Sequence, residues 1–345
     1  MILNDKVQIM NSFFSQTLMS QINSVKLDDI SQFRSQLMGL AIIWVTLYHM
    51  NFSFAPIRVF TMLGFTGVDI FLFLSGLGLY YSMCKNDSVL SFYERRAKRI
   101  LPTYYLIGLL YSFIYNNDSV ITYLWRYTTL GFWTDGVYHE WFTASIIFLY
   151  FVFPFLFYSI KAKGNIVFYP IILISSLLAL YACFVNISSI NAPHFYLLYR
   201  MPVFLCGIII AHALINNSTE SIDKNKKGFV FVGLCLFVLL FILGFVILGY
   251  ERARYLSTTT LTPVILLITV EAFKQFKSKL SVLSMIGGAS FEIYLLQDLP
   301  RWWVENNTSL FETSYSDVAK LFLTIIIIVC CIAIHKLLAY VLKLS

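Results

Sequence analysis

A small set of ionisable and amide side chains stands inside long apolar runs of this sequence. Burying such groups is costly, so each of them is by default a hypothesis about function. A further pair, His139–Glu140, stands where another apolar run begins. The residues inside the runs are His49, Asp69, Arg200, Glu271, Glu292 and the pair Gln297–Asp298.

His49 carries the most versatile chemistry of this set. An imidazole titrates near neutral pH, so it can take a proton from a hydroxyl and return it to a leaving group. The alternative is a histidine that only hydrogen-bonds the backbone of a neighbouring helix. For a histidine inside an apolar span we favour the catalytic interpretation.

Three charged residues are candidate partners of this histidine. Asp69 or Glu140 would orient the imidazole or balance its charge, and Arg200 would stabilise a developing oxyanion. Arg200 lies just before Pro202, and it could equally form a structural pair with Asp69 or Glu292. Both interpretations of Arg200 stay open at this point.

The strongest basic cluster lies between residues 92 and 102. Arg96 and Arg99 are three residues apart, so a helix would place both side chains on one face. Two such cations suit a phosphate group. A topology anchor or a contact with anionic lipids also explains them, and from the residues alone we favour that explanation.

The composition excludes a soluble enzyme. Of the 345 residues, 59% are hydrophobic and 12% are charged, against about 25% charged in soluble domains. The formal net charge of +7 is what the cytoplasmic loops of a membrane protein produce, so it indicates no nucleic-acid partner. The six cysteines form no CxxC pair and have no histidine at ligand spacing, which argues against a metal site or a disulfide framework.

Ten apolar stretches are long enough to cross a bilayer, which takes about 20 residues. The segment 121–133 is too short and too aromatic for an eleventh span. We expect it to form an interfacial or re-entrant element. Residues 1–36 would be a cytoplasmic segment, either an amphipathic helix or an unstructured terminus, and residues 37–345 would form one membrane domain. The predicted spans are 38–54, 65–84, 100–115, 141–160, 166–186, 195–215, 228–249, 256–273, 285–304 and 318–342.

The distribution of Lys and Arg orients these spans. With both termini in the cytoplasm, 18 of these residues fall on the inner side and six on the outer side, as the positive-inside rule requires. The polar residues of the first, second, fourth, sixth and ninth spans then lie in the outer half of the bilayer, which predicts one shared polar cavity. The predicted fold class is an all-α integral membrane protein with about ten transmembrane helices.

Several short blocks, in this order, resemble the membrane-bound acyltransferase-three family, the O-acyltransferases of surface polysaccharides. The resemblance runs from about Met38 to the last span. Each block alone is weak evidence for the family, whereas the order and spacing of the blocks together are fairly specific for it. The blocks are 39–49, which ends at His49, 67–76, 95–102 followed by Tyr104, Trp141-Phe142 with Tyr150 and Pro154, 200–207, and 290–296.

This resemblance implies a ten-helix core that takes a short acyl group from cytoplasmic acyl-CoA and delivers it to a sugar hydroxyl on the outer side. It implies that His49 is the catalytic histidine and that Arg96 and Arg99 lie near the CoA phosphates. The sequence departs from the family at two positions. Met38 stands where the family usually has an arginine, with Arg34 one turn before it, and Gln297 stands where the family often has a histidine.

Together these observations predict a multi-pass O-acetyltransferase of the inner (plasma) membrane. Its donor would be acetyl-CoA, its acceptor a surface or lipid-linked glycan, and its other partners membrane lipids. The alternative is a polysaccharide flippase or a small-molecule transporter, which ten spans and a polar cavity would also fit. That alternative does not explain the order of the blocks, and turnover of acyl-CoA separates the two.

Overall fold

The regular secondary structure in the part of the chain that the structure describes is all helical. In this computed structural model the described residues are 27–113, 119–135, 141–163, 165–185, 194–216, 235, 238–243, 246, 250–276, 280–313 and 315–341. No strand occurs among them, which confirms the all-α prediction. The helices are α1 (Leu27–Gln32), α2 (Arg34–His49), α3 (Ala55–Met62), α4 (Thr66–Lys85), α5 (Val89–Tyr111), α6 (Val120–Tyr127), α7 (Leu130–Asp135), α8 (Trp141–Lys163), α9 (Asn165–Val185), α10 (His194–Ile215), α11 (Tyr250–Gln275), α12 (Ser281–Gly288), α13 (Ser290–Leu296), α14 (Asp298–Asn307) and α15 (Ser316–Val341).

Four helical stretches of the described chain are long and apolar enough to cross a membrane. The segment 121–133 folds into the two short helices α6 and α7, which are not among them. The count of ten spans and the cytoplasmic placement of both termini stay predictions, because the span 228–249 and the segment 1–36 lie largely outside the described residues. The four stretches are Ala55–Lys85, Trp141–Lys163, Tyr196–Ile215 and Ser316–Val341.

Helices α4 and α10 cross in direct backbone contact. A Cβ atom on Gly76 of α4 would collide with the carbonyl oxygen of Phe204, and a Cβ on Gly207 of α10 would collide with the backbone of α4. Small residues allow this close approach between membrane helices. Because α4 carries Asp69 and α10 carries Arg200, the crossing brings these two residues within reach of each other.

Helices α2 and α12 cross in the same way. A Cβ on Gly39 would collide with the carbonyl oxygen of Leu283, and a Cβ on Gly287 would collide with that of Ser35. Helix α2 also packs against α4. The helices α10, α4, α2 and α12 therefore form a continuous row, and His49 lies at the C-terminal end of α2 within it.

The ninth predicted span, 285–304, is divided among three helices and does not form one continuous helix. The chain passes through α12, α13 and α14, which meet at Ala289 and Gln297. Pro300 has no N–H group to donate to the carbonyl four residues before it, so a continuous helix would lack that hydrogen bond. Broken membrane helices occur where the irregular backbone is buried or lines a cavity. Here the second break places Gln297 and Asp298 at a cavity wall.

Candidate active site

The end of α2 and the start of α14 meet at a cavity. We call it the histidine cavity, because His49 lines it. Its other polar side chains include Gln297 and Asp298, from the break between α13 and α14. Much of the remaining wall is aromatic, from Tyr104, Tyr111, Tyr127, Trp141 and Tyr294.

Asp298 is the carboxylate that faces His49 in this cavity. The distance from Nδ1 of His49 to Oδ1 of Asp298 is 3.9 Å, and about a third of each side chain is exposed. Arg301, one turn along α14, places its Nε 3.5 Å from the same oxygen and also pairs with Glu305. A carboxylate beside Nδ1 stabilises a protonated imidazole and leaves Nε2 to accept a proton from a hydroxyl.

Asp69 and Arg200 are paired with each other. The Nε of Arg200 lies 3.1 Å from Oδ1 of Asp69, and both side chains are almost fully buried. The guanidinium also lies over the ring of Trp141, 4.9 Å from its centroid. Of the two interpretations of Arg200, the structure shows the pair with Asp69. Neither residue lines the histidine cavity. Arg200 contacts the ring of Trp141, which does line it, so the pair is connected to the cavity through that ring.

Breaking this buried pair should destabilise the protein. We expect Asp69→Leu to lower the free energy of unfolding by about 3–5 kcal/mol, because it leaves the Arg200 cation buried without its carboxylate. The double variant Asp69→Leu, Arg200→Met should recover most of the loss. Thermal unfolding in one detergent compares the variants. A single variant as stable as the wild type would contradict a structural pair.

Two other acidic residues predicted near His49 are placed differently. Glu140, with its neighbour His139, lies outside the described residues. Glu292 on α13 is within 3.0 Å of Nδ1 of His335 on the last helix, α15. His335 does not stand out in the sequence, because no spacing links the last span to the ninth.

Arg96 and Arg99 line a second cavity, which we call the mouth cavity. Arg34 and Lys85 line it as well, whereas its carboxylate in the described chain is that of Asp28. Cations that crowd together repel one another, so a cluster of this kind in a cleft is typical of a binding site for an anion. The two arginines that the sequence pairs are therefore joined by further cations from α2 and α4.

Arg34 lines the mouth cavity. It lies one turn before Met38, the position where the family usually has an arginine. Its Nε donates to the carbonyl oxygen of Leu74 at 3.2 Å. Burial, together with the neighbouring guanidinium groups of Arg99 and Arg96, lowers the pKa of Arg34 to about 10. Arg34 is therefore still cationic at neutral pH and adds its charge to the cluster.

A third cavity lies between the other two, and we call it the middle cavity. Most of its wall is apolar. It shares Arg34, Arg99 and two other residues with the mouth cavity, and Tyr294 with the histidine cavity. At 1.5 Å per residue, Arg34 and His49 are about 22 Å apart along α2. The three cavities therefore form a row that leads from the cation cluster to His49.

A family and a protein similar to this chain have names that refer to acyl transfer. The model of the acyltransferase 3 family, described as an acyltransferase domain, matches residues 37–337. A protein of Acidianus two-tailed virus, named as acetyltransferase ORF330, is 28% identical over 206 residues, which are 54% of this chain and 58% of the viral protein. The chain thus spans little more than half the length of that relative. No solved structure matches the chain significantly.

Proposed function

The chain belongs to the acyltransferase 3 family, and from this premise we propose that it is a membrane O-acetyltransferase that transfers acetyl from acetyl-CoA to a glycan. The row of three cavities between a cation cluster and His49 is the observation that carries this proposal. Acetyl-CoA has phosphates at one end and a thioester at the tip of a long, thin arm. In this row the phosphates would meet Arg34, Arg96 and Arg99, and the arm would pass through the middle cavity.

His49 would then act as the general base of a direct transfer. Its Nε2 takes the proton of the acceptor hydroxyl while the hydroxyl oxygen attacks the thioester carbonyl. The C–S bond breaks, and the imidazolium returns the proton to the leaving thiolate, which gives an O-acetyl ester and CoA. Asp298 stabilises the imidazolium during the step. Asp69 and Arg200 are positioning residues behind Trp141 in this proposal.

The proposed acceptor is a hydroxyl of a surface or lipid-linked glycan. The aromatic wall of the histidine cavity supplies flat faces for sugar rings, and His49 with Asp298 supplies the base beside them. In the orientation that Lys and Arg predict, this cavity lies in the outer half of the inner (plasma) membrane, and the mouth cavity faces cytoplasmic acetyl-CoA. Donor and acceptor would therefore enter from opposite sides.

Gln297 is well placed to select the acceptor. It is 1% exposed, it lines the histidine cavity beside Asp298, and its side-chain oxygen has no hydrogen-bond partner among the described residues. Leaving a buried polar atom unpaired is costly, so a substrate hydroxyl that bonds it would be favoured. We expect Gln297→Met to raise KM for the glycan about tenfold and to leave KM for acetyl-CoA unchanged. Initial rates at varied acceptor and donor measure both constants, and equal changes in the two would contradict this role.

The proposed activity is tested with purified protein in liposomes that receive acetyl-labelled acetyl-CoA on one side and extracted glycan on the other. Release of CoA together with label on the glycan supports the proposal. Movement of unlabelled saccharide across the membrane without CoA release would overturn it and favour the transporter. Liposomes without protein control for hydrolysis of the thioester and for leakage.

A further inference from the structure

The stretch of chain just after His49 is held by the last helix, α15. The carboxylate of Asp317 accepts hydrogen bonds from the backbone N–H groups of Ser53, at 2.9 Å, and Phe54, at 2.7 Å. More than 260 residues separate these partners along the chain. The bonds therefore tie the loop that leaves α2 to the opposite end of the sequence.

Lys320, one turn along α15, holds the same loop at a second point. Its ammonium donates to the carbonyl oxygen of Asn51 at 2.9 Å, and the residue is only 7% exposed. Asn51 has a φ of +49°, an uncommon conformation for a non-glycine residue, and it follows His49 by two positions. A cation at this end of α2 also opposes the partial negative charge of the helix C-terminus. We call Asp317 and Lys320 the clamp.

The charges of the clamp are directed at backbone groups. The two charged ends are 3.8 Å apart, which is longer than a hydrogen bond. Each of them instead bonds main-chain groups of residues 51–54, which lie between α2 and α3. The clamp thereby fixes the path of the chain at the end of α2 that carries His49, although neither clamp residue lines the histidine cavity.

We propose that Asp317 and Lys320 are positioning residues that hold His49 opposite Asp298. The inference rests on the proposed role of His49 as general base. A base must lie within hydrogen-bond reach of the proton that it takes, and a displacement of about 1 Å can cost about 100-fold in rate. With His49 at the last residue of α2, fraying of that end would move the imidazole away from both the acceptor and Asp298.

Matched substitutions at Asp317 test this positioning in the full-length protein. Asp317→Asn keeps an oxygen that can accept from Ser53 and Phe54, whereas Asp317→Ala removes it. We expect Asp317→Ala to lower kcat by about 10- to 100-fold and Asp317→Asn to stay within a few-fold of the wild type. The KM for acetyl-CoA should not change in either variant, because the mouth cavity lies at the other end of α2.

The lysine gives an independent pair of variants. Lys320→Met should lower kcat as Asp317→Ala does, and Lys320→Arg, which keeps a cationic donor, should restore most of the rate. If the Asn and Ala variants of Asp317 lose equal activity, the hydrogen bonds to the loop are not the cause. The positioning role would then be overturned.

Hydrogen–deuterium exchange supplies a readout that does not depend on turnover. Asp317→Ala should speed exchange in the peptide that covers 46–54 and leave the peptide that covers 34–44 as in the wild type. Unchanged exchange at 46–54, or faster exchange throughout the protein, would overturn the proposal. If the wild type releases no CoA, the proposed function has failed, and the exchange of 46–54 alone decides whether the clamp orders the turn that carries His49.

Discussion

His49→Ala leaves the protein in the membrane and lowers transfer of acetyl to the glycan by about 10²- to 10⁴-fold, the range that a positioned general base contributes. The imidazole shares a cavity with Asp298, whose carboxylate oxygen is 3.9 Å from Nδ1. Without the imidazole, the acceptor hydroxyl must lose its proton to water, which is a far poorer base. Binding of acetyl-CoA should persist, because Arg34 and Arg99 lie at the other end of the row of cavities.

Two further variants show whether the loss belongs to proton transfer. Asp298→Asn keeps His49 but removes the charge that stabilises its imidazolium, so we expect a rate about 10- to 100-fold below the wild type. His212→Asn removes a histidine that bonds Tyr80 at 2.6 Å, and it should keep the rate of the wild type. Label on the glycan is compared at equal amounts of protein in the liposomes. Retained acetylation in His49→Ala would rule out His49 as the base.

The sequence indicates which polar residues lie at one level along their helices, but it leaves open which of them contact one another. Counting along the apolar runs puts His49 and Asp298 at the same level, and in the structure they share a cavity. The same counting puts Asp69 and Arg200 at that level, yet these two pair with each other. Helical spacing gives a position along each helix axis. Which residue faces which depends on the rotation and contacts of the helices, here set by glycine crossings between distant segments.

The cation cluster could be predicted in part. The three-residue spacing of Arg96 and Arg99 places them on one face, and both line the mouth cavity. Arg34 stands out in the sequence only as an arginine one turn before Met38, and its part in the cluster follows from the packing of α2 beside α4. The break at Gln297 likewise needs the structure, because an apolar run with one proline is compatible with a kinked span as well as with separate helices.

The double variant Arg34→Met, Arg99→Met should raise KM for acetyl-CoA by about 100-fold and change kcat little at saturating donor. A hydrogen bond to a charged group contributes about 1.5–3 kcal/mol, and each 1.4 kcal/mol is about tenfold in affinity. Two neighbouring cations on one ligand contribute less than the sum of the single losses. Methionine keeps an unbranched apolar chain in the wall of the middle cavity. Initial rates at varied acetyl-CoA measure the change.

Acetyl-pantetheine supplies the control donor, because it has the thioester and the arm of acetyl-CoA without the phosphates. Its KM should be high and equal in the wild type and the double variant if the arginines bind phosphate. Thermal unfolding tests the same point without turnover: CoA should raise Tm of the wild type but not of the variant. Without CoA the variant should unfold at about the same temperature, because relief of the repulsion between Arg34 and Arg99 offsets the lost hydrogen bond from Arg34 to Leu74. If the variant is less stable than the wild type without CoA, these arginines have a structural role. Other groups would then bind the phosphates of the donor.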